Sequence, residues 1–504
     1  MSEIKKTFIN TDALNKMLTN LAYKEDFEIE SVTFKQIRNK IREYSQEELF
    51  EFCHTMLDGN KHNERFPIWN IFAFIKWIYE YGKSVQSKKQ LKSKNFLILF
   101  EQITTLPDPH ITDILKLGVS KFMNVLTNQQ SYLETSIISD TFAMQLKLYS
   151  TISKTNYDIE KAFLDKTGLS ISDFLILQKL IFLLTTDKDF DGFLYEQNLE
   201  VLNNCISSEK RERFLSLLTI SSANAIERIS AQKRKITTQK LEPLGVSFLT
   251  LYPFQMYQNK IKLIHKRLHK YTLNYYIYDY MRENDDRFTT EFGHRFEKYI
   301  EFGLKEAKYD YKNEKQIKTL LPKYSNVVDY WIKDSNIFLD CKAIEVPILP
   351  SIKPTDKLLH SALKDSLLKA YFKQLMGNAN LLSVENENWG IILTYKELFW
   401  GDFKSLYEIG IKEEQFKNID CGCLKPENVF IIDIKSWEKI IQIVKAGEIT
   451  LVDILQKVKE NNSSHDTARQ FFSMHLNDYK LEKQNMDYLQ DERKQLESYF
   501  NPLK

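Results

Sequence analysis

The stretch "IFLDCKAIEV", residues 337–346, decides the fold and poses the chemical question. Its first residues are apolar enough for a buried strand. Asp340 and Lys342 sit in the middle of it, two apart, and therefore on one side. A carboxylate and an ammonium on one face of such a strand need a reason. Upstream, residues 325–332 read as a partner strand, and Lys333-Asp334-Ser335-Asn336 is the natural turn between the two. Folding there places Asp329 opposite Asp340. Alternation then gives Val328, Tyr330, Ile332, Ile337, Leu339 and Cys341 the core face. Asp329, Asp340 and Lys342 share the other face. Opposed residues have Cβ atoms about 4.5–5.5 Å apart, so the two acids repel unless something positive lies between them. A hard divalent cation such as Mg2+ takes carboxylate oxygens and keeps its waters. Lys342 reaches the same water or phosphate. The plain alternative is a cross-strand arrangement in which Lys342 merely neutralises the acids.

Two helices flank this hairpin. "EFGHRFEKYIEFGLKEA" (291–307) turns Phe292, Phe296, Tyr299, Ile300 and Ala307 inward, with Glu297 bordering that stripe and Gly293 one turn before it. "LLHSALKDSLLKAYFKQLMGN" (358–378) sets Leu359, Leu363, Leu367 and Ala370 on one face. Gln374 continues that face where an aliphatic residue is expected, and a polar group there needs a partner.

Taken in order, Glu297, Asp329, Asp340-Cys341-Lys342 and Gln374 resemble the motifs of the PD-(D/E)XK nuclease superfamily, the restriction-endonuclease-like fold. The elements over 288–395 follow the α-β-β-β-α-β order of that fold. No proline precedes Asp329, as in many members. Glu301 and Glu345 are rivals for the acidic positions, and His294 lies one turn before Glu297. The resemblance implies phosphodiester hydrolysis with Mg2+ or Mn2+. Asp329, Asp340 and the Cys341 carbonyl would bind the metal, with Glu297 direct or through water. Lys342 would activate water and stabilise the phosphate, and Gln374 would steady Lys342 or the nucleophile.

The remaining sequence sets these motifs in a multidomain chain of 504 residues. Residues 1–244 hold few glycines and read as an all-α sensor or regulatory domain. "FPIWNIFAFIKWIYEYG" (66–82) is a helix buried on most sides, and a further helix covers 111–126. Ser45 and Ser170 mark helix starts. Glu242-Pro243-Leu244-Gly245 is the expected boundary. Residues 245–448 read as an α/β nuclease domain with a mixed central sheet. Its strands are expected at 317–321, 325–332, 336–346, 389–395 and 428–434, with helices at 254–283, 288–307 and 356–378. Residues 449–504 read as a helical extension ending in a solvated amphipathic helix.

A net charge of +2 requires any polyanion to meet a local patch. Lys262, Lys266 and Lys270, with His269 and Tyr271, Tyr275, Tyr276 and Tyr278, offer one candidate surface. The alternative there is a charged face followed by core tyrosines. Lys357, Lys364, Lys369 and Lys373, around the helix of Gln374, are the stronger phosphate contacts. Five cysteines, with Cys421-Gly-Cys423 lacking a second pair at zinc spacing, fit a reduced compartment. The start, MSEIKKTFINTD, has no apolar signal core, and no run reaches the ~20 apolar residues of a membrane span. The expectation is a cytoplasmic metal-dependent endonuclease acting on DNA ahead of RNA or tRNA, an anti-phage effector by analogy, with a protein trigger on the helical half. The alternative is an inactive nucleic-acid-binding protein or a helical scaffold.

Overall fold

The computed structural model describes residues 33–499, apart from 59–66, 84–88, 90, 105, 107–118, 132–139, 153–155, 233–238, 384–386, 401–402, 413–415, 417–421, 448, 465, 470 and 480–484. The expected helix at 111–126 is therefore described only from Val119, and Cys421 and the first residues of the chain lie outside the described part.

The chain is mostly helical around two small mixed sheets. The first sheet joins β1 (Phe193–Leu194), β2 (Thr219–Ile220), β3 (Phe254–Tyr257) and β4 (Lys260–Leu263) in the order β1-β4-β3-β2. Its strands come from both sides of Gly245. The segment around Pro243 is thus a 3-10 turn, Gln239–Leu244, inside a continuous structure, and the expected domain boundary there is not a break in packing. Nor is the first half purely helical. The expected helix from 254 begins only at α1 (Lys266–Asn284), because β3 and β4 form a hairpin first. Gln258 and Asn259 take φ of 49° and 57° at its turn, the left-handed pair that a tight hairpin demands.

The second sheet runs β5 (Tyr311–Asn313), β6 (Tyr330–Ile332), β7 (Ile337–Lys342), β8 (Trp389–Thr394) and β9 (Val429–Asp433), in that spatial order. β5, β6 and β7 pair antiparallel, and β7, β8 and β9 pair parallel. The expected hairpin register holds: Tyr330 pairs with Leu339 and Ile332 with Ile337, around a turn where Asn336 takes a left-handed φ of 48°. The expected strand at 317–321 is instead a helix, α3 (Glu314–Leu320). Asn313 and Gln316 form a capping box that starts it, and the strand comes just before, as β5.

Both faces of this sheet are covered. Tyr330, Ile332, Ile337, Leu339 and Cys341 join a core with α1, α2 (Phe288–Glu306) and α4 (Ile434–Lys445). Trp331, Phe338, Ile392 and Ile431 join a second core under the helices of residues 356–382. The face carrying Asp340 is therefore core as well, as a central strand with helices on both sides requires. Val328 belongs to this second core and not to the face of Tyr330, because the chain bends at Asp329 and alternation stops there.

The expected helix at 356–378 is broken. Asp356–Leu363 ends before a turn, and Leu367–Lys369 then leads through a π-helical segment, Ala370–Leu375, into Met376–Leu382. In the first half, Ile68–Tyr81 buries ten of its fourteen residues, and Ser170 caps Ile171–Thr186. The last helix, Gln490–Ser498, is amphipathic and solvated on one face as expected, and its other face docks on the body of the protein. Arg493 makes a two-pronged 2.6 Å contact with Asp140, and Glu492 lies buried 3.1 Å from Lys147. No single described helix is long and apolar enough to cross a membrane.

Candidate active site

Asp340 is the centre of the site. It sits on β7 with no exposure at all. A buried carboxylate persists only where partners meet its oxygens. Gln374 Nε2 donates to Oδ1 at 2.7 Å. Lys342 Nζ lies 2.6 Å from Oδ2, as an ion pair off the hydrogen-bond direction. Spacing along the strand puts Lys342 on Asp340's side. The π-segment carries Gln374, and an extra residue in a helical turn redirects the side chains around it.

Asp329 stands at the bend just before β6 and accepts a hydrogen bond from the Cys341 amide at 2.6 Å. Its side chain thereby replaces the backbone pairing that stops at Tyr330. Glu297 comes from α2, in the opposite layer, half exposed and 3.9 Å from His294. The Tyr330 hydroxyl donates to the Glu297 carbonyl at 2.9 Å, which pins that turn of α2 against β6.

The charges act on one another. Burial, then the neighbouring Asp340 and Glu297, hold the Asp329 carboxyl well above the usual carboxylate range. Burial raises Asp340 too, against the pull of Lys342 and of Lys369. Burial also raises Glu297, which feels His294, Glu314, Lys342 and Asp340. Lys342 is disfavoured by burial, but Asp340 and Asp329 outweigh this and push its ammonium upward, so it stays charged. Glu297 from one layer, the two aspartates and Lys342 thus feel one another's charge, and Gln374 bonds Asp340 from the other layer.

Among the described residues, no three His, Cys, Asp or Glu side chains stand close enough to enclose an ion. The donors at Asp340 are two carboxylates and nearby main-chain oxygen. That set fits a hard cation that retains waters, and does not fit zinc.

Other expected residues fall elsewhere. Glu301 accepts from the Tyr311 hydroxyl at 2.8 Å and pairs with Lys305 at 3.2 Å. Glu345 pairs with Lys396 at 2.5 Å and with Arg282, in a cluster that also holds Asp279. Neither replaces a site acid. Lys262 is buried on β4, 2.8 Å from Asp58 and over the Phe193 ring, so it offers nothing to a polyanion. His269 and Tyr271, Tyr275, Tyr276 and Tyr278 are core residues. Lys266 and Lys270 are exposed at the start of α1. Lys357, Lys364 and Lys369 are exposed and Lys373 is half-buried; Lys369 is the one whose charge reaches Asp340.

Sequence reasoning missed Glu314, whose charge bears on both Glu297 and Asp340 and which pairs with Lys318 at 2.6 Å. The capping box at Asn313 was the available signal. Compared with protein-family models, with curated proteins and with solved structures, the chain matches none.

Proposed function

We propose that the chain is a metal-dependent endonuclease of the PD-(D/E)XK kind, hydrolysing phosphodiester bonds in nucleic acid, DNA ahead of RNA or tRNA. The observation that carries this reading is the fully buried Asp340, divided between Lys342 and Gln374 with Asp329 at its side. Nothing in the packing of β7 calls for an acid there, and an apolar residue would fill the strand at less cost. A Mg2+ or Mn2+ ion, when bound, would supply an activated water and charge at the phosphoryl oxygen. Asp329, Asp340 and the Cys341 carbonyl would hold it, with Glu297 beside them. Lys342 stays protonated and so holds a phosphate oxygen and orients water, which suits it better than taking a proton. Gln374 fixes the carboxylate of Asp340. Lys369 meets the substrate backbone. As a cytoplasmic effector in anti-phage defence, the chain would receive its trigger through the helical half.

The test is incubation of purified chain with plasmid, single-stranded DNA and total tRNA, in Mg2+ or in EDTA. Cleavage in Mg2+ alone, absent from Asp340→Ala and Lys342→Ala, is the expected result. Cleavage retained by either variant, or in EDTA, overturns it. Protection against infection should likewise vanish in Asp340→Ala. One observation favours a second reading, a nucleic-acid-binding fold without chemistry: no three-sided acidic enclosure exists among the described residues. That reading expects binding in the same assay and no cleavage.

A further inference from the structure

Strand pairing between β6 and β7 ends at Tyr330, so the residues before it have no strand to bond. Val327 and Val328 are nevertheless buried, and buried carbonyls need donors. Two side-chain amides bond this segment, one at the Val327 carbonyl and one at the carbonyl of half-buried Asn326. Gln374 Nε2 divides its protons between Asp340 Oδ1 and the Val327 carbonyl, at 2.7 and 3.2 Å. Asn378 Nδ2, one helical turn on and fully buried, donates to the Asn326 carbonyl at 2.9 Å and to the Gln374 carbonyl at 2.6 Å. The Tyr324 hydroxyl closes the same segment by donating to the Lys373 carbonyl within the π-segment. Gly377 makes that approach possible, since a Cβ there would lie 1.8 Å from the hydroxyl.

We infer that Asn378 is a positioning residue for the proposed active site. With Gln374 and Tyr324 it clasps residues 324–328 to the helix, and so fixes the bend from which Asp329 reaches the Cys341 amide. This rests on the nuclease reading only for its consequence, since the clasp itself is a matter of geometry. It differs from the role of Gln374 in one respect: Asn378 touches neither Asp329 nor Asp340, and acts through the loop and through the backbone of Gln374.

The experiment is hydrogen exchange of the β7 peptide in the full chain, comparing wild type with Asn378→Ala and Asn378→Asp. Releasing the loop should free Asp329 from the Cys341 amide and speed exchange there by about tenfold, the factor that follows from losing one hydrogen bond to a charged acceptor. The carboxylate variant, having no donors, should be the faster of the two. Exchange in β9 should not change. Asn388→Ala is the control, because Asn388 is equally buried and donates to Ser383 Oγ and the Cys423 carbonyl at 2.9 and 3.1 Å, away from the site. It should leave β7 protected. In cleavage assays Asn378→Ala should raise the Mg2+ concentration for half-maximal rate by about tenfold. Wild-type exchange at β7 in both Asn378 variants overturns the inference, whether or not the chain cleaves. A wild-type chain that does not cleave defeats the nuclease reading alone. Where Asn378→Ala does not fold, Tyr324→Phe removes one hydroxyl from the same clasp and is read in the same way.

Discussion

Replacing Asp329 by asparagine should stabilise the metal-free protein, and the reason can be worked from the site. Taken as two charges about 5 Å apart in an effective dielectric of about 20, the Asp329 and Asp340 carboxylates would repel by about 3 kcal/mol. Lys342, 2.6 Å from Asp340, offsets part of this. The hydrogen bond from the Cys341 amide survives in the carboxamide but loses its charge assistance, about 1 kcal/mol. The net gain is about 1–2 kcal/mol, which for a chain of this size raises the melting temperature by about 1–3 °C. The pH dependence has a definite sign. The native state holds the Asp329 carboxyl high, by burial first and then by Asp340 and Glu297. A group raised on folding contributes stability that is whole below its unfolded value, about 3.9, and is lost as the pH climbs through the folded value. The wild type therefore carries its penalty near neutral pH, and the gap to Asp329→Asn should narrow as the pH falls. Millimolar Mg2+ should reverse the order: a free ion about a hundredfold above its dissociation constant adds about 2.7 kcal/mol to the wild type, which leaves it ahead by about 1–2 kcal/mol. Thermal unfolding of both proteins across pH, with and without Mg2+, is the assay. A variant less stable than wild type at neutral pH without metal, or a gap that widens on acidification, would refute the coupled-carboxylate reasoning.

Further outcomes follow from other contacts. Arg295→Met strips the buried Glu291 of its 2.8 Å partner and removes the guanidinium donor from the Leu148 and Tyr149 carbonyls, so it should cost about 3–5 kcal/mol in thermal or denaturant unfolding. Lys369→Gln should weaken nucleic-acid binding and lower its salt dependence by about one unit of slope, whereas Lys262→Gln should leave that slope unchanged, in titrations at several salt concentrations. Gly377→Ala forces a methyl group onto the Tyr324 hydroxyl, and should lower both the melting temperature and any cleavage rate.

The hairpin was readable because its signals are local. Lys333-Asp334-Ser335-Asn336 supplies the turn, and the apolar run fixes the register by allowing only one pairing of faces. Gln374 was readable as a polar residue out of place on an apolar stripe. The π-segment that aims it was not, because no residue type marks one extra amino acid in a helical turn. The second covered face of β7 was missed because strand alternation alone cannot say what lies above it; the consecutive apolar Ile337, Phe338 and Leu339, which point to both faces, were the better guide. The β3–β4 hairpin was hidden by the lysines and tyrosines around it, which continue the look of α1 upstream. Its Gln258-Asn259 turn was the only local clue. Lys262 misled for a related reason: charge was taken for exposure, while Asp58, two hundred residues away, had already claimed it.

The placement of α2 bears on how such a site could be controlled. Glu297 lies on the same helix as Arg295, whose guanidinium holds carbonyls of the π-helical segment Lys147–Thr151. Tyr149 in that segment meets the Tyr395 hydroxyl at 2.9 Å, just beyond β8. Gln145 donates to the Leu273 carbonyl of α1 at 2.8 Å. The C-terminal helix closes the arrangement by pairing Glu492 and Arg493 with Lys147 and Asp140. The bonds of Gln145, Tyr149 and Arg295 are buried and those of the last helix part-buried, and together they tie the first half of the chain to α1, α2, the end of β8 and the last helix. A hinged sensor would instead show an exposed linker and few bonds across it. Under the proposed function, a regulator bound to the helical half would therefore work by deforming packed helices against α2, with small shifts reaching Glu297, and not by lifting a lid from the site.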